Sequence, residues 1–519
     1  MYVPAIRVVD MGKRGIVIGF AEPWSLSRLP MFFLADRIEV SGLHLFLYGN
    51  RRKRMKTQPL GYDPKDATSI WQYSAGLLGH TLRDFIEEGV AYEYTGKGAL
   101  GQMVEEIFFH ISNNSRAEAD FESAGVELKC TPLKHGKKET LLIKERLVCG
   151  MINYCNLVGE NFEESHFYTK CQLMLLLFYL HIKDANKLDL EFLISLLWKF
   201  PDKDLEIIRQ DYYTIVNKVK QGLAHELSEG DTLYLGACRK GADGSSVTNQ
   251  PFSETMAPTR AFCLKPSYMS AILKWVLETK KNHLNTLNPE LSSLVSLKAL
   301  KKDSLENIVL KRYTKYIGKG YKKIAKSLNI DLSKNPKNKF AMIASAIGTK
   351  GEKVNINSTE EFLKAGLMMK AIRVQANGRI KESMAFENIN YTEVYHEENE
   401  WIGSRCYDIF TSRFMFVIFR EQTPEKEDYV LDKIFFWTMP QSDLQVAEQY
   451  WNSIKQCVNE NHIAPEYFWK IGDHKLFHVR PKGKNKQDLA PNPHGGEVQK
   501  YCYWFNNEYI TDIVNKNKQ

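Results

Sequence analysis

Asp120-Phe-Glu-Ser-Ala-Gly-Val-Glu127-Leu-Lys129 is the stretch on which the reading of this chain turns. Val126, Leu128 and Cys130 alternate with Glu127 and Lys129, a period of two that predicts a strand with the acid and the lysine on one face. Gly125 offers a bend just before it. Asp120 then falls at the end of the preceding segment, close enough to share a divalent cation with Glu127. Hard cations such as Mg²⁺ take carboxylate oxygens and keep several waters. Lys129 is placed beside one of those waters, an arrangement that suits metal-assisted hydrolysis of a phosphodiester. Upstream, Gly98-Ala-Leu-Gly101-Gln-Met-Val-Glu105 reads as the start of an amphipathic helix that brings one more acid inward. Downstream, Lys144-Glu-Arg146-Leu-Val reads as a second basic strand. The spacing taken alone also fits a solvated strand face bearing a salt bridge.

Together, Gly101-x-x-x-Glu105, Asp120-Phe, Ala124-Gly-Val-Glu127-Leu-Lys129 and Lys144-Glu-Arg-Leu-Val resemble the MutH-type branch of the PD-(D/E)xK nucleases. Within that branch they are most similar to the type II restriction endonucleases that recognise GATC. The similarity continues through Ala224-His-Glu-Leu-Ser-Glu-Gly230, Lys240-Gly-Ala-Asp-Gly-Ser-Ser246, Asn249-Gln-Pro and Arg260-Ala-Phe. The resemblance implies Mg²⁺-dependent cleavage of double-stranded DNA at GATC, 5′ of the G. Glu105, Asp120 and Glu127 are then the metal ligands, and Lys129 positions the attacking water and stabilises developing charge. Lys144 is a further candidate for phosphate contact. A cognate DNA methyltransferase is expected to act on the same site without needing to bind this chain.

With 519 residues, 44% of them apolar and 25% charged, the chain is long enough for two or more globular domains. The longest apolar run, Leu173 to Leu180, is far too short to span a bilayer and reads as a buried strand or helix. A net charge of +8 favours a polyanionic partner. Nine scattered cysteines without a Cys-x-x-Cys pair argue against zinc and suit reduced thiols in a cytoplasm.

Residues 1–54 share no pattern with the rest of the chain. They carry Pro4, Pro23 and Pro30, the apolar Met31-Phe-Phe-Leu34 and the basic Arg51-Arg-Lys-Arg54, without the order of a signal peptide. Met55 as the true start is one reading; a basic DNA-binding arm is the other. Ser69 is a plausible N-cap for an amphipathic helix running towards Glu88. Phe192 to Trp198 and Leu205 to Val219 read as helices whose aromatics Trp198, Tyr212 and Tyr213 belong to the core. Between Gly230 and Arg260 the chain is rich in loops, with Arg239, Lys240, Ser245, Ser246, Asn249 and Gln250 suited to phosphates and base edges. Arg260 closes that segment as a further DNA contact. Thr279 to Asp303 reads as a linker, and Ser304-Leu-Glu opens a new helix.

From there the chain repeats itself. Glu361-Phe-Leu-Lys-Ala-Gly-Leu-Met368-Met-Lys370 matches Asp120 to Lys129 without a gap, and Met342-Ile-Ala344 takes the place of Met103-Val-Glu105. Lys381-Glu382 echoes Lys144-Glu145. Phe477-His-Val-Arg480-Pro-Lys-Gly483 falls where Leu235 to Gly241 lies, and Tyr509 to Ile513 parallels Tyr268 to Ile272. Core positions persist while Glu105 becomes Ala344 and Glu127 becomes Met368. A thioether in place of the central carboxylate does not hold a hard cation. The second copy is therefore expected to keep the fold and its basic loop (Arg480, Lys482, Lys484, Lys486) but to have lost cleavage.

The expectation is an α/β protein of two tandem MutH-like domains, each a central mixed sheet flanked by helices. Residues 1–68 form an extension, 69–278 the catalytic domain, 279–303 a linker, and 304–519 an inactive DNA-binding or regulatory domain. The leading function is a type II restriction endonuclease, with a homodimer on DNA as one route to cutting both strands. A mismatch-repair nickase and a non-catalytic DNA-binding protein are the alternatives.

Overall fold

The computed structural model describes residues 5–10, 16–21, 60–86, 98–112, 118–136, 140–240, 246–281, 293–395, 400–424, 426–485 and 487–517. Contacts divide the chain into two compact units. One comprises Met1–Gly150, Glu160–Pro201 and Met269–Pro289; the other comprises Met151–Gly159, Asp202–Tyr268 and Glu290–Gln519. Residues 202–268 precede the expected linker in sequence yet group with the second half.

The first unit is built on a mixed six-stranded sheet, in the order Ala5–Asp10, Ile16–Ala21, Phe192–Lys199, Leu173–Leu180, Glu127–His135 and Leu141–Ile143. Glu127–His135 runs parallel to Leu173–Leu180, with Glu127 opposite Met174. Leu173–Leu180 runs antiparallel to Phe192–Lys199. The apolar run is thus a strand, and Met174 to Phe178 are buried on both faces. Phe192 to Trp198, expected as a helix, is also a strand. It is paired along both edges, so its apolar residues need no alternation, and a short continuous run carries no period to separate strand from helix. Ile16–Ala21 lies parallel to it, with Ile16 opposite Ile194. Residues 1–54 therefore contribute two strands to this sheet, while Arg51 to Arg54 fall outside the described residues.

The predicted helix towards Glu88 is shorter than expected. It spans Ala67–Ser74, capped by Asp66, whose carboxylate accepts from the Thr68 N–H at 2.9 Å. Ser69 instead accepts from the Asp63 N–H. The chain then turns through Gly79 (φ +74°), and the Gly79 N–H bonds the Phe192 carbonyl at 2.8 Å.

In the second unit, Leu235–Arg239 pairs with Arg260–Leu264 beside the helix Asp202–Lys220. Tyr212 is fully buried there. A second mixed sheet sets Met368–Val374 parallel to Phe414–Glu421, which is antiparallel to Tyr429–Trp437. Phe477–Pro481, Tyr501–Phe505 and Met384–Asn388 form a third sheet around an aromatic core that includes Phe410, Tyr450, Phe477 and Phe505. Residues 202–268 join this unit through Lys364 Nζ, 2.8 Å from the Asp204 carboxylate, and Tyr407, whose hydroxyl donates to Glu229 at 2.9 Å.

The duplication is visible in the order of elements. In each copy a parallel strand pair is followed by an antiparallel strand, a 19-residue helix (Asp202–Lys220, Gln441–Asn459), a two-stranded pairing and a final helix. Gly125 and Gly366 precede the key strand with φ of +63° and +64°, a left-handed bend that favours glycine. Tyr154 and Tyr391 each donate a hydroxyl hydrogen bond to a carbonyl far along the chain, at Pro258 and Gln499. Ser304 caps the Leu305–Thr314 helix as expected, accepting from the Asn307 N–H.

Candidate active site

Four of the residues picked from sequence come together in the first unit. Phe121 and Val126 form an isolated antiparallel bridge around the Gly125 bend, which turns the chain from Asp120 into the Glu127–His135 strand. Asp120 Oδ2 accepts from the Leu128 N–H at 2.9 Å, which fixes that carboxylate beside Glu127 and leaves Oδ1 for a ligand. Glu105 sits on a π turn, Val104–Phe108, that continues the short helix Ala99–Met103. Single π turns are strained and cluster at functional sites.

The charges are held out of water. Glu127 is 1% exposed, and its Oε1 accepts from Lys129 Nζ at 2.5 Å. Lys170, on the helix His166–Cys171, lies 3.4 Å from the same oxygen. No local motif marks Lys170. It reaches the site because its helix leads directly into the Leu173–Leu180 strand, the parallel neighbour of Glu127. Burial, with the Asp120 and Glu127 charges added, pushes the Glu105 carboxyl up to about 7. Burial also raises Glu127, against the pull of Lys129. For Lys129 burial is the largest influence and works downward, but the charge and hydrogen bond of Glu127, together with Cys171 and Cys149, carry the group above its ordinary value and keep the ammonium protonated.

Glu127 Oε2 is buried with no hydrogen-bond partner among the described residues. A buried carboxylate oxygen left unpaired is costly, so the position fits a bound ion or water. Among the described residues no three His, Cys, Asp or Glu side chains are gathered as a preformed cage. The fit is therefore to a cation that needs only one or two carboxylates and retains its waters, as Mg²⁺ does.

The remaining expected residues are placed differently. Lys144 is half-buried just before the Leu147–Met151 strand, its N–H bonded to the Pro132 carbonyl at 3.0 Å. In the second unit Arg239 is exposed at the end of its strand, and the Lys240 N–H bonds the Thr259 carbonyl. The Ser246 hydroxyl is shared with Thr259 at 3.1 Å, and Ser245 lies outside the described residues. Arg260 departs from its expected surface role. It is buried, and its guanidinium donates to the Ala237 carbonyl at 2.6 Å and to the Leu227 carbonyl. Gln250 is also buried, accepting from the Ala224 N–H and donating to the Thr255 carbonyl. Both brace the loop from within.

In the second copy Ala344 is buried within a regular helix, Lys339–Gly348, that has no π turn. Glu361, which matches Asp120, accepts from Ser293 Oγ and from the N–H groups of Leu294 and Val295. Of the basic loop, Arg480, Lys482 and Lys484 are exposed, and Lys486 lies outside the described residues. Among the described residues no helix is long and apolar enough to cross a membrane.

Comparison with known proteins finds similarity to MutH and to a type II restriction enzyme. Residues 109–211 match the family model for the DNA mismatch repair enzyme MutH. The type II restriction enzyme Sau3AI of Staphylococcus aureus is 32% identical over 467 residues, covering 80% of this chain and 92% of that protein. The DNA mismatch repair protein MutH of Shewanella woodyi is 30% identical over 184 residues, covering 34% of this chain and 76% of its own. An alignment of 467 residues must take in both copies, whereas the MutH alignments are the length of one.

Proposed function

Because this chain belongs to the MutH-like family of type II restriction endonucleases, we propose that it cleaves double-stranded DNA at GATC, 5′ of the G, using Mg²⁺. Its two copies are tandem MutH-like domains, each a mixed sheet flanked by helices. The target and the cut position rest on the sequence resemblance. The cleavage chemistry rests on one observation: Glu127, buried beside Lys129, keeps an oxygen with no partner among the described residues, while the second copy has Met368 at that place.

Asp120 and Glu127 are the residues that would hold Mg²⁺, with Glu105 completing the acidic wall. A metal held by these residues would contribute positive charge at the scissile phosphate and lower the pKa of a bound water. The chain's own part is positional and electrostatic. Lys129, kept protonated by Glu127, orients the attacking water and faces the charge that develops on phosphorus oxygens. Lys170 adds a second ammonium on the same side of Glu127. Glu105, with its carboxyl near neutrality, is placed to take a proton as the water is deprotonated.

Residues 69–278 form the catalytic copy in this reading, and 304–519 an inactive copy that serves binding, dimer contact or regulation. Arg239, Lys240 and Ser246 are the catalytic copy's candidate DNA contacts, with Lys144 at the phosphate. One active site per chain on a palindromic target calls for a homodimer on DNA or two successive nicks. A methyltransferase protecting the same site is the expected counterpart. A mismatch-repair nickase is disfavoured because the MutH matches cover one copy alone. The test is a supercoiled plasmid with one GATC site, incubated with and without Mg²⁺. Cleavage at that site only with metal is expected; an intact plasmid under both conditions overturns the assignment.

A further inference from the structure

The loss of the acids leaves a cation exposed to an unusual environment in the second copy. Lys370 occupies the place of Lys129, but Met368 stands where Glu127 would neutralise it. The Lys370 ammonium is half-buried, 4.9 Å from the centroid of the Phe386 ring. Among the described residues it has no hydrogen-bond acceptor and no ion-pair partner. Lys482, from the basic loop, arrives at the same residue, its Nζ donating to the Phe386 carbonyl at 2.5 Å. Glu387, next in the chain, is the nearby carboxylate, and both of its oxygens are already engaged by Arg405, with Oε2 3.0 Å from Nε. Three cations and one committed carboxylate therefore meet around Phe386 and Glu387. Burial, and then the Lys482 charge, lower the Lys370 pKa, so the two ammoniums are mutually unfavourable as they stand. A half-buried charge without a partner is costly, and a ligand of opposite sign relieves it.

We propose that the degenerate site of the second copy is a phosphate-binding site, in which Lys370 and Lys482 clasp an anionic phosphate group. Exchange of Glu127 for Met368 has turned a site suited to a cation into one suited to an anion. The ligand chemistry is a tetrahedral phosphate oxygen cluster, supplied either by a nucleic-acid backbone or by a free phosphate. Arg405 lies beside the pair and is the third donor once Glu387 shares it. The inference stands on the second unit alone and does not depend on cleavage by the first copy.

The experiment uses the full chain in EDTA, so that no DNA is cut. Lysine acetylation footprinting is read by mass spectrometry at Lys370 and Lys482 with chloride, inorganic phosphate or a short DNA duplex at matched ionic strength. Calorimetric titration with inorganic phosphate is run in parallel on the wild type, Lys370→Gln, Lys482→Gln and Met368→Glu. Expected are protection of Lys370 by phosphate and binding weakened about tenfold or more in either glutamine variant, as loss of a charge-assisted hydrogen bond requires. Met368→Glu, which restores a carboxylate beside Lys370, should abolish it. Protection by duplex at far lower concentration than by phosphate identifies the backbone as the source; protection by phosphate alone identifies a small anion. If neither anion alters Lys370 reactivity and wild type and Lys482→Gln titrate alike, the proposal is wrong.

Discussion

Lys129 and Lys170 reach the same oxygen of Glu127, at 2.5 and 3.4 Å, from a strand and from a helix 41 residues further on. Two ammoniums on one buried carboxylate leave its other oxygen as the free coordination position. Glu127→Ala and Lys129→Ala should each abolish plasmid cleavage while DNA binding, measured without metal, is retained. Lys170→Ala should slow the single-turnover rate on the order of 10²-fold, as removal of one preorganised charge donor does. Substantial cutting by purified Glu127→Ala protein would refute this placement.

Glu105 provides a pH signature. Its carboxyl is raised to about 7 by burial and by Asp120 and Glu127, so below that pH it holds its proton and above it carries charge. The ionised form is the one that accepts a proton or faces a cation. Cleavage at fixed subsaturating Mg²⁺ should therefore rise with pH through about 7, and saturating Mg²⁺ should move the midpoint lower. A Glu105→Gln variant should lose most activity together with this dependence. A flat profile between pH 6 and 8 in the wild type would refute it.

Arg260 and its neighbours in the loop should separate by assay. Arg260→Ala removes a buried guanidinium that holds two carbonyls, so it should destabilise the fold by about 2–4 kcal/mol in denaturant titration. Arg239→Ala and Lys240→Ala should leave stability unchanged, weaken DNA binding, and reduce its log–log salt slope by about 1 each. Equal effects of all three on binding with no change in stability would contradict the assignment.

The bond between Lys364 and Asp204 makes the first copy's long helix dependent on the second copy. Asp204 is 1% exposed, and its pKa is raised by burial despite Lys364. Lys364→Met should cost about 3–5 kcal/mol by leaving that carboxylate uncompensated, and Asp204→Leu added to it should recover much of the loss. By the same reasoning a chain ending at residue 303 should lose the native packing of residues 202–268, seen as lost amide protection there. Full protection in the truncated protein would show that these contacts carry little.

A chain beginning at Met55 should still fold and cleave. In the second copy the corresponding strand, Tyr429–Trp437, is the last of its sheet, covered on its outer side, among the described residues, only by a short contact with Gly318 to Gly320. Removal of Ile16–Ala21 exposes the backbone of Phe192–Lys199, so aggregation at high concentration should increase. Loss of activity with the fold retained by circular dichroism would instead support a DNA-binding arm in residues 1–54.

Much of the site could be read from local pattern, because its signals are local. Alternation around Glu127, a glycine bend at Gly125 and an acid seven residues upstream all lie within one short stretch. The duplication was legible because core positions such as Phe362 and Ala365-Gly366 survive. Lys170 was not legible, since only the strand order brings its helix to Glu127. The strand Phe192–Lys199 read as a helix because burial on both faces erases the period of two. Arg260 read as a surface cation because sequence carries no sign of the carbonyls that enclose it.

The carboxylate of Glu361 has a consequence for the history of the second copy. It now secures the backbone of Leu294 and Val295 and pairs with Lys203, so swinging it back towards a metal would undo the attachment of the connecting segment. Nor would Ala344→Glu and Met368→Glu by themselves reproduce the first copy's site, because the helix bearing Ala344 is regular where Glu105 sits on a π turn. Building an acidic site in the second copy would therefore take a change of helix geometry and a new hold on Leu294 and Val295, beyond the exchange of single side chains.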